Sequence, residues 1–146
     1  YRILNLAPAM KLSESLFLNT DLFVVNEIEL ESMSKNSLQL DSIDSVTANI
    51  ESISLNKNQS IIVTLGSTGV FINHANKQEF IEGHNVEAVD TTGSGDCFLG
   101  ALASSLVKNE NLFDAAAYAN KAAALSVTKK GASASMPTHQ DILKFL

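Results

Sequence analysis

The chain has 146 residues, a length at which one domain can bury a hydrophobic core without disulfide or metal crosslinks. Hydrophobic residues make up 45% and charged residues 18% of the sequence, which is typical of a globular protein rather than a disordered one. The formal net charge of -6 argues against nucleic acid as the main partner, because nucleic acid is usually bound by a basic face. No apolar run approaches the roughly 20 residues of a membrane span, so we expect no membrane partner. With no basic and apolar leader and with Cys97 as the single cysteine, we expect a cytoplasmic location.

Strand and helix patterns alternate in the first half of the chain. Residues 1–6, 22–25 and 61–65 are short apolar runs that predict strands, with a short polar helix between the first two. Asn26 lies where a helix cap is expected, and the glutamates that follow it suit the first turn of a helix. Residues 41–55 predict an amphipathic helix, because their apolar side chains recur at spacings of three and four. This alternation is the pattern of a parallel sheet covered by helices.

An antiparallel pattern opens the second half. Residues 70–73 and 78–81 predict a hairpin at the edge of the sheet, with residues 74–77 as its turn. Three helices are expected after it, over residues 97–107, after the cap residue Asn111 in an alanine-rich stretch, and over residues 141–146. The predicted fold class is α/β, with a mainly parallel sheet between two layers of helices and an antiparallel edge hairpin.

The most informative segment is the glycine-rich run at residues 90–96, which precedes an apolar helix. Gly93 and Gly95 let the backbone turn tightly and present bare N–H groups at the helix N-terminus, where a developing phosphate charge would be stabilised. Asp96 falls within the first turn of that helix, so its carboxylate would lie close to the same place and could accept a proton. The alternative is that Asp96 only complements the helix dipole and the glycines only form a turn.

Competing motifs fail on spacing. A Walker loop requires a lysine that neither glycine-rich stretch supplies, and the dinucleotide fingerprint requires a third glycine where Phe98 stands. A nucleophile elbow requires glycine at the position of Thr92. The three histidines show no metal-ligand spacing and are interpreted as scattered surface residues: His74, His84 and His139.

Residues 89–100, VDTTGSGDCFLG, resemble the C-terminal signature of the PfkB carbohydrate kinases, also called the ribokinase family. Three further segments resemble family motifs in the expected order: N-x-x-E at residues 26–29, TLGSTG at 64–69 and KKGASASMP at 129–137. The resemblance therefore covers nearly the whole chain. It implies that residues 1–146 are the C-terminal nucleotide-binding and catalytic half of a three-layer α/β/α sandwich. The N-terminal sugar-binding half and its lid would then be absent.

The resemblance implies a role for each matched residue. Asp96 would be the catalytic base that activates a sugar hydroxyl. Asn26 and Glu29 would organise Mg²⁺, phosphate and water around the triphosphate of ATP. The alternative for these two residues is a helix cap followed by a solvated acid in the first turn. The anion hole would consist of the backbone N–H groups of Gly93, Ser94 and Gly95.

Other matched residues would contact the rest of the nucleotide. Asn120, on the alanine-rich helix, would approach the adenine side. Its alternative is a plain polar residue at the surface. The residues implied to lie along the nucleotide are Thr64, Gly66, Ser67 and Gly69.

The family also binds a monovalent cation, usually K⁺, beside the anion hole. The resemblance implies two side-chain ligands here, Asp90 and Ser135. Hard oxygen donors at a glycine-rich bend suit a weakly hydrated cation whose charge would tighten the anion hole. The alternative is that Asp90 only stabilises the turn through its own backbone. The implied carbonyl ligands are those of Thr92, Ser126, Lys129 and Gly131.

The activity implied by the resemblance is ATP-dependent phosphorylation of a sugar hydroxyl. The loop that contains Ser135 and the NE-x-E form at Asn26 resemble ribokinases more than fructokinases or adenosine kinases, which makes D-ribose the predicted substrate and ribose 5-phosphate the product. The alternatives are another sugar or nucleoside kinase of the family, a non-catalytic nucleotide-binding module, and a purely structural fragment. A homodimer is the expected assembly of the full-length protein.

Overall fold

The computed structural model describes residues 1–34, 42–108 and 111–145. The chain divides into two units, the first made of Tyr1–Gly66 and Val70–Phe80, the second of Ser67–Gly69 and Ile81–Leu146. Within the described ranges, no helix combines the length and the apolar character needed to cross a bilayer.

Five strands form one sheet in chain order: β1 (Ile3–Asn5), β2 (Leu22–Asn26), β3 (Ser60–Thr64), β4 (Gly69–His74) and β5 (Lys77–Glu82). β1, β2 and β3 are parallel, with Phe23 of β2 opposite Ile61 of β3, whereas β3 and β4 are antiparallel. Parallel neighbours need a crossover between them, and the chain provides one each time, as the alternating pattern predicted. The predicted α/β class and the antiparallel edge are confirmed.

The hairpin between β4 and β5 turns in two residues rather than the predicted four. Ala75 and Asn76 have φ angles of 50° and 63°, and positive φ at both central residues is characteristic of the tight turn that suits the twist of paired strands. The polar residues His74 and Lys77 are therefore the last and first residues of the strands. The predicted turn includes these two residues because they are polar.

The core of the first unit lies on one face of the sheet. Phe23, Ile61 and Val63 of β2 and β3 are at most 1% exposed, and helices cover them. The helices α2 (Glu27–Met33) and α3 (Ile43–Ser52) contribute Leu30, Val46 and Ile50. Residues that alternate with these on the strands, such as Leu22 and Ile62, are fully buried as well. Burial on both faces explains why the strands are continuous apolar runs.

The helices of the first unit begin at side-chain caps. Ser13 caps α1 (Glu14–Leu18), Asn26 caps α2 and Ser42 caps α3. The predicted helix over residues 41–55 ends earlier, at Ser52, and its first predicted residue lies outside the described residues. The first strand is likewise shorter than predicted.

Two long helices dominate the second unit. α4 (Ser94–Val107) packs on α5 (Leu112–Ser126), and the buried face of α5 is made of alanines such as Ala115 and Ala119, both 0% exposed. Small side chains let the two backbones approach closely, and the Cys97 Sγ lies 3.5 Å from the Ala122 carbonyl oxygen. The terminal helix α6 (His139–Lys144) begins two residues before the predicted start, and the predicted last residue, 146, lies outside the described residues.

Candidate active site

The glycine-rich run forms the N-terminus of α4. Gly93 is the cap residue, in the left-handed region with φ 78°, and the first three helical residues are Ser94, Gly95 and Asp96. The first hydrogen bond of the helix runs from the Cys97 N–H to the Gly93 carbonyl, at 2.9 Å. The N–H groups of Gly95 and Asp96 precede that bond and point out of the helix end, where the backbone dipoles concentrate positive charge.

The Ser94 N–H differs from its neighbours, because it donates to the Thr91 carbonyl at 3.2 Å. Of the predicted anion-hole donors, Ser94 is therefore already engaged within the turn. The Asp96 N–H is not among the predicted donors, yet none of the residues that the structure describes accepts a hydrogen bond from it. The sequence carries the signal for this donor, because a residue in the first turn of a helix has a backbone N–H with no partner inside the helix.

The fold requires glycine at only one of the two glycine positions in this turn. A Cβ on Gly93 would lie 3.2 Å from the Ala132 Cβ and would sit on a backbone with positive φ, so the fold itself requires glycine. A Cβ on Gly95 would meet nothing within 4 Å. The fold leaves Gly95 facing open space, which is where a ligand could approach the backbone.

Asp96 is an exposed residue at the third position of α4. Among the residues that the structure describes, none forms a hydrogen bond or an ion pair with its carboxylate. This contrasts with Asp114 at the third position of α5, whose carboxylate is bound by the Asn111 side chain. The Asp96 carboxylate is thus available to accept a proton from a ligand, beside two backbone N–H groups that donate to none of the described residues.

Asp90 connects the turn to a second loop. Its Oδ1 accepts the Thr92 N–H at 3.0 Å, and its Oδ2 accepts the Gly131 N–H at 2.9 Å. These hydrogen bonds, that from Gly131 first, lower the pKa of Asp90. Of the predicted cation ligands, the structure therefore brings Asp90, Thr92 and Gly131 together.

The other predicted cation ligands lie within five residues of Gly131 in the sequence. The Ser126 carbonyl accepts the Lys129 N–H at 3.4 Å, so these two residues form one turn at the end of α5. Ser135 is 1% exposed, in the 3-10 turn Ser133–Ser135, and its hydroxyl donates to the Ala132 carbonyl at 2.8 Å. A carboxylate has about four acceptor positions, and the backbone N–H groups of Thr92 and Gly131 occupy two of those of Asp90. A carboxylate, a hydroxyl and backbone carbonyls are the kind of oxygen donors that suit K⁺, and K⁺ binding at these residues stays a prediction.

Asn120 is not a surface residue. It is 6% exposed, and its Nδ2 donates to the Glu82 carbonyl at the end of β5, at 2.8 Å. The alternative of a plain surface residue is wrong, because Asn120 is buried. Its amide has the hydrogen-bond partner that a buried amide requires. The contact with adenine that the resemblance implies stays a prediction.

Asn26 and Glu29 lie in the first unit and cap α2 reciprocally. The Asn26 Oδ1 accepts the Glu29 N–H at 2.9 Å, and the Glu29 Oε2 accepts the Asn26 N–H at 2.8 Å. The cap proposed as an alternative is thus present. Its second part is wrong, because Glu29 is only 5% exposed rather than solvated. This reciprocal capping arrangement uses one oxygen of each side chain and does not involve the Asn26 Nδ2 or the Glu29 Oε1.

The segment predicted to lie along the nucleotide contains two glycines with positive φ. Gly66 has φ 55° and opens the 3-10 turn Gly66–Thr68, in which Ser67 is exposed. Gly69 has φ 128°, and a Cβ there would lie 2.1 Å from the Ile81 carbonyl oxygen. The backbone at Gly69 is therefore too close to that of Ile81 for any residue other than glycine. Before the turn, the Thr64 hydroxyl donates to the Val25 carbonyl at 3.3 Å.

A comparison with protein families decides the classification. The model of the pfkB family carbohydrate kinases matches residues 2–139. The chain belongs to the pfkB family. The resemblance seen in the sequence is thereby confirmed.

Curated pfkB-family relatives include several sugar kinases. The ribokinase of Haemophilus influenzae is 38% identical over 145 residues, which are 99% of this chain and 46% of that protein. A deoxyribokinase of Salmonella typhi is 34% identical, with 99% of this chain and 47% of that protein covered. The probable fructokinase-2 of Arabidopsis thaliana is 32% identical, with 94% and 42% covered. The chain thus spans about half the length of its relatives.

Solved structures of pfkB-type kinases share the fold. The ribokinase of Thermotoga maritima matches with a TM-score of 0.83 at 33% identity, over 98% of this chain and 48% of that one. The ribokinase of Arabidopsis thaliana complexed with ribose and ATP matches with a TM-score of 0.87 at 26% identity, over 98% and 46%. A candidate ribokinase II of Escherichia coli in complex with ATP and Mg²⁺ matches with a TM-score of 0.74 at 29% identity, over 90% and 40%. The predicted ribokinase-like fold is confirmed for the half that this chain spans.

Proposed function

We propose that the complete kinase containing this chain transfers the γ-phosphoryl group of ATP to a hydroxyl of D-ribose, giving ribose 5-phosphate, and that this chain is its C-terminal half. The observation that carries the proposal is the first turn of α4, where none of the described residues binds the Asp96 carboxylate or the adjoining N–H groups of Gly95 and Asp96. Support comes from ribokinase relatives and from a related ribokinase complexed with ribose and ATP.

In the proposed mechanism, Asp96 takes the proton of the sugar hydroxyl while the oxygen attacks the γ-phosphorus in line. The new O–P bond forms as the bond from the γ-phosphorus to the bridging oxygen breaks, and ADP leaves with that electron pair. The N–H groups at the α4 N-terminus stabilise the charge on the transferring phosphoryl group.

Two kinds of cation belong to this proposal. Asn26 and Glu29 are the residues proposed to organise Mg²⁺ and water, and Mg²⁺ supplies neutralisation of phosphate charge. K⁺ is proposed to bind through the Asp90 and Ser135 side chains together with the carbonyls predicted from the resemblance. Replacing K⁺ by tetramethylammonium at constant ionic strength should lower the activity of the complete kinase, and Asp90→Ala should remove most of that response. Activity indifferent to K⁺ contradicts the potassium assignment.

The substrate is tested by a panel of sugars, because relatives of this chain include a deoxyribokinase and a probable fructokinase. ADP release by the complete kinase should show the highest kcat/KM with D-ribose, compared with 2-deoxy-D-ribose and D-fructose. A higher kcat/KM with either of the other sugars refutes the ribose assignment while keeping the kinase. Nucleotide binding with no sugar-dependent ADP release would favour the non-catalytic alternative. The cytoplasmic location and the homodimer stay predictions.

A further inference from the structure

Two loops of the second unit meet at the start of α4. The segment that enters the helix, residues 89–93, and the segment that follows α5, residues 127–132, are joined by backbone bonds from the Val89 and Asp90 N–H groups to the Val127 carbonyl, at 2.7 and 3.2 Å. Close packing adds a further constraint, because the Gly93 backbone leaves no room for a Cβ beside Ala132 without a shift. The entry to the helix is therefore built against the second loop.

The Asp90 carboxylate closes this junction with one hydrogen bond on each side. One oxygen binds the Thr92 N–H two residues ahead in the turn, and the other binds the Gly131 N–H, 41 residues away. A carboxylate is required for both bonds at once, because its two oxygens are both acceptors. A side-chain amide offers one oxygen and one NH₂ group, so it can accept from only one of the two donors in this geometry.

We propose that Asp90 is a positioning residue that latches the α4 N-terminus to the Gly131 loop. The latch fixes the turn at residues 92–94 and, through it, the first helical turn that carries Gly95 and Asp96. The latch rests on the proposed function in one respect only, namely that the groups it holds in place are the proposed anion-hole donors and the base. Asp90 thus acts on the first turn of α4 through its hydrogen bonds to Thr92 and Gly131.

Two variants separate the two bonds, and a third serves as the control. In Asp90→Asn, the amide oxygen keeps the local bond to Thr92, whereas the bond to Gly131 is lost. In Asp90→Ala, both bonds are lost. The matched control is Asp141→Asn, because the Asp141 carboxylate also accepts two hydrogen bonds, from the N–H and the hydroxyl of Thr138, but caps α6 instead.

The test is amide hydrogen exchange by NMR on the 146-residue chain, in buffer that contains tetramethylammonium as the only monovalent cation. Asp90→Asn should accelerate exchange of the Gly131 amide about tenfold or more and leave that of Thr92 nearly unchanged. Asp90→Ala should accelerate both and also the Cys97 amide, which makes the first hydrogen bond of α4. Asp141→Asn should change none of these three amides.

The outcomes are distinct. Unchanged exchange at Gly131 in both Asp90 variants overturns the latch, and so does a Cys97 amide that is unaffected by Asp90→Ala. Equal effects of the Asn and Ala variants at Thr92 contradict the two-bond geometry. A separate titration with ADP tests the proposed function. A folded chain that binds no ADP but shows the expected exchange pattern keeps the latch and counts against nucleotide binding.

Discussion

Gly93 and Gly95 are separated by one residue, yet the fold constrains only the first. Gly93 has positive φ and lies against Ala132, so its requirement for glycine is structural. Gly95 lies within the helix, where glycine is less favourable than alanine by about 1 kcal/mol. No packing contact explains glycine at this position, and its place in the first turn of α4 puts its backbone where a ligand could approach the helix N-terminus.

This difference predicts opposite effects of two alanine substitutions on stability. Gly93→Ala should destabilise the chain, because it combines strain with a tight contact. Gly95→Ala should preserve or raise the free energy of unfolding, by up to about 1 kcal/mol, while its methyl group weakens ATP binding. Chemical denaturation and calorimetric titration measure the two quantities.

Gly100 supplies the matched control for this prediction. It lies in the same helix, and a Cβ there would also meet nothing within 4 Å. Gly100→Ala should stabilise α4 to a similar degree and leave the affinity for ATP unchanged. Wild-type ATP affinity in Gly95→Ala would show that the γ-phosphate does not approach this backbone.

At the scale of single elements, α2 shows how a cap and a ligand-binding role can coincide. The reciprocal bonds between Asn26 and Glu29 satisfy the helix N-terminus, and they explain the spacing of the N-x-x-E motif without any ligand. The proposed role toward Mg²⁺ therefore requires a test in which the cap is kept.

Substitutions at Asn26 provide that test. Asn26→Ala should lower the free energy of unfolding by about 1 kcal/mol, whereas Asn26→Ser should retain most of the cap. If Asn26 also organises Mg²⁺ and water, both variants should weaken binding of the Mg²⁺–ATP complex by the complete kinase. Wild-type affinity in Asn26→Ser would reduce Asn26 to a helix cap.

The elements were predicted with uneven accuracy, for physical reasons. The strands at Leu22–Asn26 and Ser60–Thr64 were found within one residue, because burial on both faces makes them continuous apolar runs. The sequence pattern starts α4 at Cys97, three residues later than the structure, because the apolar helical spacing begins only after the glycine-rich run. The start of α6 was readable but overlooked: Thr138 and Asp141 form a capping box.

At the scale of the whole molecule, the sequence indicated the family and the identity of the chemical groups but not their connections. The bond between Asp90 and Gly131 spans 41 residues, and no local pattern predicts such a contact. The burial of Asn120 and Glu29 depends equally on tertiary packing. Motif residues could therefore be named in advance, whereas the partners that hold them could not.

The proposed role of Asp96 as the catalytic base can be tested with a matched pair of aspartates in this chain. Asp96 and Asp114 both stand at the third position of a helix, in α4 and α5. Only Asp96 adjoins the glycine-rich turn. Any effect of charge on the helix dipole should therefore appear in both, and any effect on proton transfer in Asp96 alone.

The decisive measurement compares Asp96→Asn with Asp114→Asn in the complete kinase, by steady-state turnover and by nucleotide titration. Asp96→Asn should lower kcat by roughly 10²-fold or more, the scale expected of a general base, with nucleotide affinity nearly unchanged. Asp114→Asn should leave kcat close to that of the wild type. Near-normal turnover in Asp96→Asn would contradict the assignment of Asp96 as the base.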